Sequence, residues 1–169
     1  FTIGKWQVCI DYLVQADKIR SEFGNHPERP INLMNLAEVL IAMGDFERAR
    51  SELRKSIDIC QRLGSDIYLA YSEFVLAHLF IQENNSTEAS VHLEKARQLL
   101  QPLEDSSERA VQYYWYKAEI DIEGGDLAAA LAEAERALEI SEKGGFLEKK
   151  VDVLRCVGMI QARMGHYSL

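Results

Sequence analysis

The chain has 169 residues, 47% of them apolar and 27% charged, with a net charge of −8. Length and composition fit one folded domain and exclude a disordered chain. The acidic balance excludes a surface built for nucleic-acid phosphates, which need clustered Lys and Arg, and fits a basic or neutral partner.

Residues 1–25 open on Gly4-Lys5-Trp6 and continue with Cys9, Leu13, Ala16, Ile19 and Phe23. This 3-4 spacing predicts one amphipathic helix with no helix before it. Pro27 and Pro30 then mark a place where a helix stops. Residues 30–64 predict a helix pair. The first helix carries Leu33, Leu36, Ala37 and Leu40, and Gly44 ends it. Asp45 caps the second, which carries Ala49, Leu53, Ser56, Ile59 and Leu63, with Gly64 closing it.

Residues 66–104 repeat the pair. Ile67 to Ile81 is the longest apolar-looking stretch, but Glu73 and His78 interrupt it, and it falls short of the about 20 apolar residues of a membrane span. Asn84-Asn85 stands where Gly44-Asp45 stood, because Asn is the next residue suited to that turn. Ala89, Leu93, Ala96, Leu99 and Leu103 form the second stripe, which Pro102 is expected to shorten or kink.

Residues 106–144 form a third pair with two registers open. Aligning Ala118 with Ala37 places Lys117 and Asp121 where Leu36 and Leu40 stand. Sliding by one puts Tyr113, Tyr116 and Ile120 on the stripe and makes Gly124 the turn. Gly125-Asp126-Leu127, Ala130, Ala134, Ala137 and Ile140 follow in either case. Residues 146–169 give one more first helix and a turn at Gly165-His166-Tyr167.

Gly4, Gly44, Asn84, Gly125 and Gly165 thus recur about every forty residues, the mark of a stacked array whose units cannot bury their apolar faces alone. The fold class is all-α, an antiparallel helix-pair solenoid. Small residues recur with the turns: Ala37, Ala77, Ala118 and Gly158 in the first helices, and Ala49, Ala89 and Ala130 in the second. Ala16, Ser56, Ala96 and Ala137 recur seven positions further on. Each small slot predicts a close helix crossing, and Cys9 shares the slot of Ala49.

The run Leu36-Ala37, Leu40, Gly44-Asp45-Phe46, Ala49, Leu53, Ser56 resembles the tetratricopeptide repeat (TPR), and the resemblance extends along the whole chain. Two departures stand out: the period exceeds the usual 34 or so residues, and the closing Pro is absent. The longer unit resembles the variant in the sensor arm of large ATP-binding LuxR-type transcription regulators and related signalling scaffolds. The resemblance implies a right-handed superhelix whose first helices line a concave groove for peptides or ligands. The chain reads as a fragment of a larger array. Trp6, Val8 and Ile10 at one end, and Leu154, Val157 and Met159 at the other, lack part of their cover, so copies are expected to stack end to end.

First-helix residues off the packing stripe are expected in the groove. These are Ile31, Met34, Glu38 and Ile41; Tyr71, Phe74, His78 and Ile81; Gln112, Trp115, Glu119 and Ile122; and Asp152, Arg155, Met159 and Arg163. The equivalent slots Met34, Phe74, Trp115 and Arg155 form a row suited to an apolar or amphipathic peptide. The partner-binding set is therefore Met34, Glu38, Tyr71, Phe74, His78, Trp115, Glu119, Arg155 and Met159, and loss of a peptide partner is expected on Phe74→Ala or Trp115→Ala. The Lys and Asn clamp by which repeats of this family hold chaperone tails is missing, since Met34, Phe74, Glu38 and His78 occupy its places.

No catalytic constellation, cofactor loop or metal-ligand spacing is expected. His26, His78, His92 and His166 are scattered, although His78 and His92 could meet across one helix pair. Carboxylates such as Glu133 near Arg136, and Glu47 near Arg48, read as ordinary helix-surface pairs. Cys9, Cys60 and Cys156 are too dispersed for a redox or zinc motif, and read as buried, reduced thiols of a cytoplasmic protein. The function expected is a non-catalytic protein- or peptide-binding scaffold with no membrane or direct nucleic-acid contact. The alternative is a regulatory sensor segment of a larger signalling ATPase or transcription regulator, binding a small effector or an inhibitory domain.

Overall fold

The computed structural model describes residues 3–22, 27–101 and 107–165. Eight helices occupy them: α1 (Ile3–Glu22), α2 (Arg29–Ala42), α3 (Phe46–Leu63), α4 (Asp66–Gln82), α5 (Ser86–Leu99), α6 (Glu108–Gly124), α7 (Leu127–Gly144) and α8 (Leu147–Arg163). No strand occurs among the described residues, so the all-α solenoid holds. Most connections are two or three residues long, which folds successive helices back against each other. No helix among the described residues is long and apolar enough to cross a membrane.

The turns follow their chemistry. Gly44, Gly125 and Gly165 adopt φ of 78°, 81° and 77°, and Asn84 takes the same left-handed region at 55°. Asp45, Asn85 and Asp126 each cap the next helix by accepting a backbone N–H three residues on, at 3.4, 3.3 and 3.0 Å. Pro30 sits in the first turn of α2, where its missing N–H costs nothing. The expected effect of Pro102 lies outside the described residues, as do Phe23, His26, Leu103 and His166.

The tightest packing joins α2 to α3, α4 to α5 and α6 to α7. Ala37, Ala49, Ala77, Ala89, Ala96, Ala118, Ala130 and Ala137 are all fully buried. Ser56 fills its small slot and adds a polar tie, with its hydroxyl 2.8 Å from Ser72 Oγ and 3.3 Å from the Pro30 carbonyl oxygen.

Three members of the small-residue series behave differently, the first being Ala16, which is only half-buried. Cys9 is exposed, and Gly158 opens onto free space. The expectation that Cys9 is buried fails because its slot faces the first helix of a pair, and α1 packs on α2 alone among the described helices. Gly158 is the mirror case on α8. Burial raises the Cys60 thiol and pushes Cys156 up to about 12, which keeps both as thiols. One thiol is therefore expected to react quickly with Ellman's reagent in the native chain, and three in denaturant; fast native reaction of Cys9→Ser would contradict this burial pattern.

The register of α6 is the one that aligns Ala118 with Ala37, with Gly125 as the turn and Gly124 still helical. Lys117 and Asp121 do stand in the places of Leu36 and Leu40, half-buried. Lys117 is accommodated by an ion pair with Glu133 of α7, which raises the lysine's pKa. Glu133 is thus a half-buried tie between helices, and its expected place on a solvated surface is corrected. Tyr116 is buried as well, so α6 draws on residues of both candidate stripes.

Candidate partner-binding groove

The first helices of the pairs touch one another in sequence, α2 to α4, α4 to α6 and α6 to α8, whereas α3, α5 and α7 do not. Closer spacing on that side curves the stack around the first helices. On the inner side lies a cavity of about 280 Å³, formed by residues of α2, α4, α6 and α8.

Three of the expected residues line it: Glu38, Tyr71 and Met34, the last mostly buried at 6% exposure like others in its slot. Ile31 and Gln112, also on expected inner faces, join them. The remaining wall comes from Asn35, Tyr68, Val75, Glu108, Arg109 and Lys149, which periodicity alone left unassigned. A signal for three of them exists. Tyr68, Arg109 and Lys149 are equivalent positions, each three residues before an expected inner slot (Tyr71, Gln112 and Asp152). The inner face begins one turn earlier than the stripe placed it.

Polar order in the cavity is partly fixed. The Arg109 guanidinium lies over the Tyr71 ring, 4.1 Å from its centroid, and Arg109 Nη1 donates to Gln112 Oε1 at 2.6 Å. Gln112, itself buried, passes the chain on, with Nε2 donating to the Tyr116 hydroxyl at 3.0 Å. Glu38 is open toward the cavity, yet the protein around its carboxyl raises its pKa by desolvation, against the lowering fields of Lys149 and Arg109.

The other expected residues lie elsewhere. Phe74 is 0% exposed and belongs to the core, so its assignment to the groove surface is corrected. Trp115 is 6% exposed, and its Nε1 donates to Glu119 Oε1 at 3.0 Å. Their slot falls at the seam where consecutive first helices pack, which buries them. Arg155, in the same slot on α8, is exposed, because no further helix covers that face among the described residues; it lies 3.8 Å from Asp152. Met159 is exposed beside it. Among the described residues, Glu119 Oε2 is buried without a hydrogen-bond partner, and burial raises this carboxyl despite the Trp115 bond. The cavity lining includes none of these five.

His78 is half-buried and stacked on Tyr116, with ring centroids 5.4 Å apart. Burial first, and the Lys149 charge second, pull its pKa down to about 4. It does not meet His92, which instead reaches Glu73 within α4 and α5, so that expectation is corrected. The folded chain holds His78 neutral while the unfolded chain protonates it near 6.5. Its contribution is therefore complete above about pH 6.5 and lost as pH falls toward 4. His78→Phe is expected to flatten the stability profile across that window, measured by urea unfolding at several pH values; an unchanged slope would refute the burial of a neutral ring.

Among the described residues, no group of three or more His, Cys, Asp or Glu is placed to hold a metal ion. The model of the Tetratricopeptide repeat family matches residues 28–101, which supports that family for this stretch. Among solved structures, the chain is similar to the crystal structure of BtubC (BKLC) from P. vanneervenii, with a TM-score of 0.53 and 19% identity, covering 83% of this chain and 67% of that one. That likeness concerns the fold. A comparison with curated proteins finds no match.

Proposed function

We propose that this chain is a non-catalytic scaffold that binds a protein or peptide segment on the inner face of its first helices. Repeats of the matched family generally mediate protein–protein contacts, which supports the general reading. The observation that carries the finer one is the cavity shared by α2, α4, α6 and α8, which joins residues far apart in sequence into one concave surface. It combines apolar and aromatic residues with six polar or charged ones, an amphipathic lining that a docked segment with both kinds of side chain can meet. Its volume of about 280 Å³ falls at or below the small end of ligand pockets, about 300–1,000 Å³. That favours an inserted side chain over a whole effector.

The reading is tested by selecting peptides from a displayed random library and mapping them by NMR. Shifts concentrated on Ile31, Met34 and Val75 are expected. Peptides that perturb only the opposite face, or a library that yields no binder, would remove the proposal. The sensor reading predicts instead a thermal stabilisation by members of a metabolite library. Cytoplasmic location, a role in signalling, and stacking of copies through the outer faces of α1 and α8 remain parts of this proposal.

A further inference from the structure

Several opposite charges on neighbouring helices meet in ion pairs, and those around the cavity do not. Between other helices, opposite charges close into pairs: Arg29 with Asp17 at 3.0 Å, Arg50 with Glu83 at 2.7 Å and Lys95 with Glu73 at 2.6 Å. At the cavity, Glu38 stands near enough to Lys149 and Arg109 to feel both charges. Among the described residues, however, none of the three closes an ion pair with any partner. Glu38, Arg109 and Lys149 thus line one open cavity.

We propose that this gap reads two opposite charges on one partner segment, a cationic side chain set against Glu38 and a carboxylate set between Arg109 and Lys149. The inference rests on the groove reading above and names the chemistry that the groove selects. Three features carry it. The first is the mixed charge of the lining, which holds two acids, Glu38 and Glu108, and two bases, Arg109 and Lys149. A ligand bearing one charge meets repulsion along with attraction, whereas a segment bearing both signs, correctly spaced, meets attraction at each end.

The second feature is preorganisation. Arg109 is already clamped by the Tyr71 ring and the Gln112 oxygen, so little side-chain freedom remains to be lost on binding. The third is size. A volume of about 280 Å³ admits one or two side chains but not a helix, which fits a pair of residues on one side of an extended segment.

The test uses four short fluorescent peptides with a shared apolar frame and central sequences Lys-Ala-Glu, Lys-Ala-Gln, Gln-Ala-Glu and Gln-Ala-Gln. In an extended chain, residues two apart share a face. Fluorescence anisotropy is expected to show the Lys-Ala-Glu peptide binding about tenfold or more tighter than the uncharged one, the scale of a charge-assisted contact. Glu38→Gln should erase the advantage of Lys, and Lys149→Gln should weaken that of Glu. Ile31→Trp, which fills the cavity from an exposed position, should abolish binding while leaving the thermal midpoint near that of the unaltered chain.

Equal binding of all four peptides, lost in Ile31→Trp, would overturn the charge rule and leave the groove reading standing. Binding indifferent to Ile31→Trp would overturn both. Failure of every peptide to bind would also overturn the charge rule, because the frame and both charges would then have been offered together.

Discussion

Phe74→Ala is expected to destabilise the chain by about 3–5 kcal/mol, read as a lower midpoint in urea or thermal unfolding. Phe74 is the largest fully buried side chain among the described residues, and it shares a core cluster with Ala77, Leu93, Val111 and Trp115. Helix α4 is held by α2 and α3 on one side and by α5 and α6 on the other, so the space left by the ring cannot collapse. A loss of that size is a large share of the roughly 5–15 kcal/mol of a typical domain. Phe74→Leu, which keeps most of the volume, should cost less.

The same substitution separates packing from recognition. Phe74 does not line the cavity. At a temperature where Phe74→Ala remains folded, the affinity for a groove-binding peptide should therefore match that of the unaltered chain. An unchanged unfolding midpoint combined with lost affinity would show that the ring faces the partner after all, and would move Phe74 from the core to the groove wall.

Much of the architecture was legible because one constraint repeats. Ala37, Ala77 and Ala118 recur because two helices cannot cross closely over a larger side chain, and the turns recur because a left-handed residue must end each first helix. The groove was harder to read. A slot such as Phe74 looks outward when one pair is considered alone. It becomes core only when the next first helix packs against it, and nothing in a single repeat announces how tightly consecutive units approach. Tyr68, Arg109 and Lys149 were hidden for a related reason: each stands in the first turn of its helix, one turn before the apolar stripe begins, so the inner face has to be extended backward by three positions to reach them. Glu73 was hidden by its type. An acid within an apolar stretch reads as an interruption, and its partners His92 and Lys95 sit about one helix away in sequence.

The second large effect concerns that acid. Glu73 occupies the slot held by Leu33 one unit earlier, and its side chain is fully buried. Burial works to raise its carboxyl, but His92 Nδ1 and Lys95 Nζ, both 2.6 Å from it, outweigh that and hold the pKa below the ordinary value. The carboxylate therefore stabilises the fold above the usual carboxylate range, and this is lost as pH falls through its lowered folded-state pKa.

Removing its partners and removing the acid should act in opposite senses. The double substitution His92→Phe and Lys95→Met leaves a buried, uncompensated carboxylate and is expected to cost about 3–5 kcal/mol. Phe at position 92 preserves the stack on Phe80, whose ring lies 5.2 Å from that of His92, so the loss reports the charge rather than the ring. Glu73→Leu restores the side chain found at Leu33 and leaves Lys95, already half-exposed, free to turn toward water. It should be neutral or stabilising, as when a buried ion pair gives way to a well-packed apolar group. Adding Glu73→Leu to the double substitution should recover most of the loss. The penalty of the double substitution alone should shrink in acid, because an unpaired buried carboxyl takes up a proton more readily than the same group in an unfolded chain. A double variant as stable as the parent at neutral pH would mean that Glu73 is neutral without its partners at little cost. A Glu73→Leu variant destabilised by several kcal/mol would mean that the ion pair, rather than the volume of the slot, holds α4 to α5.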